Sequence, residues 1–280
     1  METLLKFKAT LQADEDANYE QLVDCILSCD EKATSNHFGL ILPLTLSLTD
    51  HHQTSNSLLG LDCIVHILKT MSPNDIKANN TDALLLHVLS KLLIRPEEEL
   101  IEKLLPPLLK VVQLAKFNPL DIRSTKVDDL FSTIITQISL RSEHSIKCVY
   151  WRCMPAYFSF MDISIVKYSK DIVNLISEQL SYPLKDCNDL FFDLLTCLKI
   201  FLTLSNGPFR FTQQLTFDIV KFLIASEEEI QLDSKLVQLI TEVLKLLSNK
   251  DRILFSQYVE AVIDTVPDNL WSKRMFRNLL

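Results

Sequence analysis

Between Phe38 and Leu68 the chain reads as two apolar segments, FGLILPLTLSLT and SLLGLDCIVHIL, joined by the polar stretch DHHQTSN. The second segment carries Leu58, Leu61, Ile64, Val65 and Leu68 at the three-and-four spacing of one helix face. In the first, Leu42, Leu44, Leu46 and Leu48 alternate with period two, so a strand competes with a helix. Pro43 decides for the helix, because a proline inside a paired strand removes a ladder donor. The two segments therefore predict a helical hairpin. Its Pro-x6-Asp pattern, Pro43 to Asp50, recurs from Pro155 to Asp162 ahead of another amphipathic segment, which implies an array of helical repeats.

The same periodicity runs through the rest of the chain. Leu22, Val23, Ile26 and Leu27 predict a short helix over Tyr19 to Cys29, in a capping region of residues 1–36. After the hairpin, MSPNDIKANNTD is a break, and a helix from Leu84 to Leu93 stops before Pro96. Pro96 and the acids Glu97, Glu98 and Glu99 suit the first turn of the next helix, whose buried stripe is Leu100, Leu104, Leu108, Val111 and Val112. Pro106 and Pro107 are expected to kink or split it. Beyond the loop KFNPLDIRSTK come helices over Val127 to Ile138, Ile146 to Met161, Ile165 to Leu180 and Leu190 to Leu202, the last ended by an Asn206 to Pro208 turn. Tyr150, Trp151, Tyr157, Phe158 and Phe160 should wedge neighbouring repeats together. Thr212 to Ala225 follows, then a helix opened by a capping box at Ser226 to Glu229 and running through Leu247, then Ile253 to Ile263 and Asp268 to Leu280. About a dozen helices, paired at intervals of roughly 35 to 47 residues, predict an all-α fold, a right-handed α-α superhelix of the HEAT or armadillo kind. It is expected as one domain, with hairpin repeats over 37–249 and capping helices over 250–280.

Composition narrows the class. The chain has 280 residues, is 48% hydrophobic and has a mean hydropathy of +0.15, enough for a large core and too apolar for disorder. Only 3 glycines are present, too few for the turns of a sandwich, barrel or doubly wound sheet. A net charge of −8 argues against nucleic acid as a partner. The 7 cysteines are odd in number and sit mostly among apolar residues, as reduced thiols do. METLLKFKATLQADED has no apolar run long enough for a secretory signal, so none is expected, and the longest uncharged apolar run, Phe38 to Thr49, is shorter than the roughly 18 residues that cross a membrane. A cytoplasmic or nuclear location is expected, with no membrane partner.

Candidate chemistry is sparse. With glycine only at 39, 60 and 207, no phosphate-cradling loop can be written, and no Gly-x-Ser-x-Gly elbow exists. The expectation is a non-enzyme with no cofactor and no small-molecule substrate. His51 and His52, beside Asp50, invite a metal-site reading, yet consecutive side chains at a helix end should diverge and no second ligand cluster completes a site. A solvated turn is the preferred reading. Cys25 with Cys29, and Cys148 with Cys153, lack zinc-ligand spacing. The Glu runs at 97–99 and 227–229 sit where helix starts want acids. In the terminal segment a helix would align Trp271, Met275 and Leu279, with Lys273, Arg274 and Arg277 adding positive charge to an acidic chain. Trp271, Arg274, Met275, Arg277 and Leu279 are thus candidate partner-binding residues, on a helix that either caps the last repeat or docks onto a partner.

LPLTLSLTDHH followed by SLLGLDCIVHIL is similar to a HEAT-type repeat, and resembles more closely the TELO-two-interacting protein two family. That family has a Leu-Pro-rich helix ending in a Leu-x-Asp-Asp/His turn before a Gly-Leu helix. Leu42, Pro43, Leu48, Asp50, His51, Gly60 and Leu61 carry the match, which extends to about Ala225. Gln53 to Asn56 stand where the generic HEAT pattern has Val-Arg, which weakens any Asp-Arg ladder between repeats. The resemblance implies a scaffold subunit of the Triple-T complex, with Tti-one and Tel-two homologues as partners. It further implies work with the heat-shock ninety chaperone system on phosphatidylinositol-3-kinase-related kinases. Another HEAT or armadillo scaffold, a transport adaptor or phosphatase scaffold, is the alternative.

Overall fold

The computed structural model describes residues 19–78, 80–114, 120, 125–182, 188–205, 210–265 and 270–277. Among them every regular element is a helix. The chain divides into two compact units, one holding the helices up to residue 137 and the other those from residue 138 onward.

In the first unit α1 (Tyr19–Leu27) and α2 (Glu31–Asn36) precede the hairpin of α3 (Phe38–Thr49) and α4 (Thr54–Thr70). Then come α5 (Pro73–Ala78), α6 (Thr81–Leu92), α7 (Glu98–Leu114) and α8 (Lys126–Leu140), of which residues 126–137 belong here. The helix reading of Phe38–Thr49 holds against its strand-like alternation. Ile41, Leu44, Thr45 and Leu48 face inward at helical spacing, and the exposed Pro43 gives up one backbone bond on the solvent side. α4 is the hub, packing against α1, α3 and α7, while α6 covers α7. Leu22, Ile26, Ile41, Leu48, Cys63 and Ile67 form the core between α1, α3 and α4.

Three local expectations change. The predicted break after the hairpin contains α5, capped by a reciprocal pair in which Ser72 Oγ donates to Asp75 Oδ2 at 2.7 Å and accepts from Asp75 N at 3.2 Å. α2, unread in the sequence, is capped by the Asp30 carboxylate, which accepts from Ala33 N at 2.7 Å. α7 runs unbroken through Pro106 and Pro107. Leu100, Leu104, Leu105, Leu108, Val111 and Val112 are all essentially inaccessible on both sides of the prolines, and burial of that stripe outweighs the two missing donors.

The second unit contains α9 (His144–Met161), a 3-10 segment (Asp162–Tyr168), α10 (Ser169–Leu180), α11 (Asn188–Leu204), α12 (Thr212–Ala225), α13 (Glu227–Leu232), α14 (Ser234–Lys250), α15 (Arg252–Thr265) and α16 (Trp271–Arg277). Its helices alternate between two layers. α9, α11 and α14 touch in series, as do α10, α12 and α15, so that each helix has its next neighbour but one, or nearly so, beside it. Tyr150, Trp151, Tyr157 and Phe158 are buried as expected, and Phe191 of α11 stacks on Phe222 of α12 at 4.6 Å. Asp162, like Asp50, follows the last residue of a helix that carries proline seven positions earlier. Its backbone has φ 49, which turns the chain into the 3-10 segment rather than straight into the helix read from Ile165.

The capping box read at Ser226 is also corrected. The Ser226 hydroxyl is buried without a partner, and the expected single helix is two, α13 and α14. The second starts at an unpredicted cap, where Asp233 Oδ1 accepts from Lys235 N at 2.9 Å and Leu236 N at 3.2 Å. The Asn206 to Pro208 turn and most of the loop KFNPLDIRSTK lie outside the described residues.

Candidate functional site

The hairpin residues singled out in the sequence converge where α3 and α4 meet. Leu48 and Leu61 are buried, Leu42 is half-buried, and Pro43 and Asp50 are exposed, Asp50 ending α3 with its N–H bonded to Leu46 O at 3.0 Å. Gly60 packs directly on α3, and a Cβ there would stand 2.4 Å from Thr49 N and 2.6 Å from Thr49 Cα. Only glycine permits that approach.

His51 sits at the head of the turn, and its ring does not diverge from its neighbour. The His51 and His52 rings stack at 4.3 Å, with Tyr19 of α1 edge-on to His51 at 5.7 Å. The helix has already ended, so ring orientation is set by the turn. Gln53 N donates to His51 Nδ1 at 3.1 Å, and Asn56 Nδ2 lies 3.3 Å from the same atom. Burial, then the neighbouring His52 and Arg95, hold His51 below its ordinary pKa.

The residue that organises this turn is Arg95, which sequence reasoning passed over. It lies between α6 and Pro96, 44 positions beyond His51. Its Nη1 donates to His51 O at 3.0 Å and Ser57 Oγ at 2.9 Å. Its Nη2 donates to Thr54 Oγ1 at 3.0 Å and to Glu97 Oε1 at 2.7 Å. Thr54 Oγ1 in turn donates to the same Glu97 oxygen at 2.8 Å. The Arg95 hydrogen bond, with the one from Thr54, pulls the Glu97 carboxyl down to about 2. Glu97 thus precedes α7 and serves Arg95 instead of the helix dipole. The repeat-joining arginine that the turn itself lacks is supplied from the next hairpin. A lone Arg between an apolar helix and Pro-Glu was the only signal for it.

Other features of the described residues offer little chemistry. A groove of about 510 Å³ lies between α6 and α8, with Leu86, Val111, Leu114 and Val127 in its lining and Lys77 and Lys126 among its polar residues. Its described lining holds no histidine or cysteine. Burial pushes the Cys63 thiol up to about 12 and the Cys197 thiol well above its ordinary value, so neither supplies a thiolate. The cysteines among the described residues are free thiols, and no grouping of His, Cys, Asp and Glu among those residues fits a metal ion. No described helix is long and apolar enough to cross a membrane.

The terminal candidates are distributed unequally. Met275 is buried, its sulfur 3.9 Å from Thr241 Oγ1, and Phe276 beside it is inaccessible. Ser272 Oγ donates to Glu227 Oε2 at 2.6 Å in the interior. Arg274 and Arg277 are exposed, Trp271 begins α16, and Leu279 lies outside the described residues. The apolar side of α16 is therefore engaged within its own unit, and its exposed side is the arginine side.

Comparison with known proteins gives a consistent picture. A model described as the Tti2 family matches residues 19–185, which include the hairpin, Arg95 and Glu97 but not α16. The chain is 27% identical over 148 residues to TELO2-interacting protein 2 of Homo sapiens, a stretch covering 51% of this chain and 29% of the relative. It is 29% identical over 147 residues to TELO2-interacting protein 2 of Mus musculus, with the same coverage of 51% and 29%. The match thus spans less than a third of the length of these relatives.

Proposed function

The chain belongs to the Tti2 family, and from that premise we propose that it is a non-enzymatic scaffold whose work is to bind other proteins. The relatives' name, TELO2-interacting, supports a protein partner, and the finer reading is a subunit of a Triple-T type co-chaperone complex. Its partners would be Tti-one and Tel-two homologues, and its role to support phosphatidylinositol-3-kinase-related kinases together with the heat-shock ninety system, in the cytoplasm or nucleus. The observation that carries the proposal is the family match over the region that contains the Arg95-tied hairpin. Helices layered within each unit suit the role, and the sequestered thiols give an enzyme little to work with.

The contact surface proposed for α16 is its exposed side, Arg274 and Arg277, with Trp271 at its start; Leu279, outside the described residues, is proposed to join them in binding. Met275 contributes by holding that helix in place. Arginine is favoured at interfaces for its planar, multiply donating head.

Affinity capture of the tagged full chain from its native cells, read by mass spectrometry, tests both levels. The expected result is stoichiometric recovery of Tti-one and Tel-two homologues. Recovery of a transport receptor or a phosphatase catalytic subunit in their place would overturn the assignment in favour of another scaffold. Arg274→Glu should lower recovery of the partner by about tenfold with the melting temperature unchanged. Undiminished recovery would remove α16 from the interface.

A further inference from the structure

We propose that the stacked His51–His52 pair is an acid-sensitive latch on the turn between α3 and α4, closed while His51 is neutral and loosened when it gains a proton. The assignment rests on which atom accepts. Gln53 N points its hydrogen at His51 Nδ1 over 3.1 Å, and a backbone N–H can only donate, so that nitrogen carries a lone pair. Asn56 Nδ2, which also donates to Gln53 Oε1 at 3.0 Å, stands 3.3 Å from the same atom. The ring's own proton is then on Nε2.

A proton added at Nδ1 removes the acceptor that orients Gln53 and places a positive charge among neighbours of both signs, of which His52 and Arg95 oppose it. From the turn itself come the stacked His52 and, at the end of α3, the carboxylate of Asp50. From α1 comes the edge of Tyr19, and from the segment before α7 come Arg95 and the Glu97 it grips. Glu97 is engaged by Arg95 and Thr54, leaving the guanidinium on the His51 carbonyl as the charge nearest this turn from outside it. Burial acts in the same direction. The latch matters because Arg95 holds the carbonyls of both His51 and His52, at 3.0 Å and 3.4 Å. Moving this turn therefore loosens the tie between the first hairpin and the segment that leads into α7.

The sign follows from linkage. A histidine held below its ordinary value of 6.5 binds its proton less well folded than unfolded, so the turn is most stable above that pH and weakens as pH falls through it. Two measurements on the full wild-type chain test this. An NMR titration of the His51 ring should give a midpoint below 6.5. Hydrogen exchange at the Gln53 amide, corrected for its intrinsic rate, should show protection falling about tenfold between about pH 7.5 and about pH 5.5. His51→Asn, whose side-chain oxygen can accept without titrating, should abolish that fall. A His51 midpoint at or above 6.5, constant Gln53 protection in the wild type, or the same fall in His51→Asn would overturn the proposal. If His51→Asn does not fold, the two wild-type measurements decide alone.

Discussion

Gly60 has one job at the residue scale, which is to have no side chain. The close approach of α4 to Thr49 leaves no room for a methyl group, since two of the three nearest atoms, Thr49 N and Cα, belong to the main chain and cannot swing aside. Gly60→Ala would raise intrinsic helix propensity by about 1 kcal/mol, yet the clash should win and destabilise the protein by about 2 kcal/mol net. Urea unfolding would show this as a lower midpoint with little change in slope; an unchanged or higher midpoint would mean that α3 and α4 separate freely. Gly39 makes a useful contrast. Nothing lies within 4 Å of where its Cβ would be, so the same substitution there should be neutral or stabilising through propensity alone.

Among the elements, the junction of α13 and α14 separates a cap that works from one that only looks right. Ser226-Glu-Glu-Glu has the residues of a capping box, but Ser226 follows α12 directly and its hydroxyl is buried without a partner. Asp233 makes two bonds to the first amides of α14. Asp233→Ala should therefore cost about 1 kcal/mol, whereas Ser226→Ala should cost nothing measurable or stabilise slightly by removing an unsatisfied group. Thermal unfolding of the two single variants decides, and the opposite ranking would restore the capping box. The same competition explains the proline pair in α7. A local rule that would end a helix is overridden where apolar residues are buried on both sides of the break.

For the whole molecule, stability should come from packed helices without metal or disulfide support. The described cysteines are free, and Cys63 and Cys197 are interior thiols. Neither excess chelator nor reductant should move the melting temperature by more than about 1 °C, and a fall of about 5 °C with either would reveal a hidden metal or crosslink. Within each unit the ties between successive hairpins are polar as well as apolar. Lys103 of α7 meets Asp62 of α4 at 2.7 Å, and Lys199 of α11 meets Glu242 of α14 at 2.7 Å. These half-buried pairs, still open to solvent, fix register more than they add stability.

Periodicity alone determined the helical class, most helix positions and the buried stripes, because burying an apolar face is a local property repeated every three or four residues. The hairpin was legible for the same reason, from the stripe of α4 and from a proline incompatible with a central strand. The residues Leu42 to Leu61 carried enough pattern to suggest the family that the wider match bears out. Tertiary structure decided what one segment does to another far away in sequence. Arg95 acquires its role only when α7 is brought beside α4, and Glu97 leaves the helix-start role that its position suggested because the guanidinium is a closer partner. Met275 is buried against Thr241 of α14, and Gly60 is explained only by the nearness of Thr49. Hydrogen bonds and close contacts at sequence separations of tens of residues leave no period to read, so they become visible only once the chain is folded.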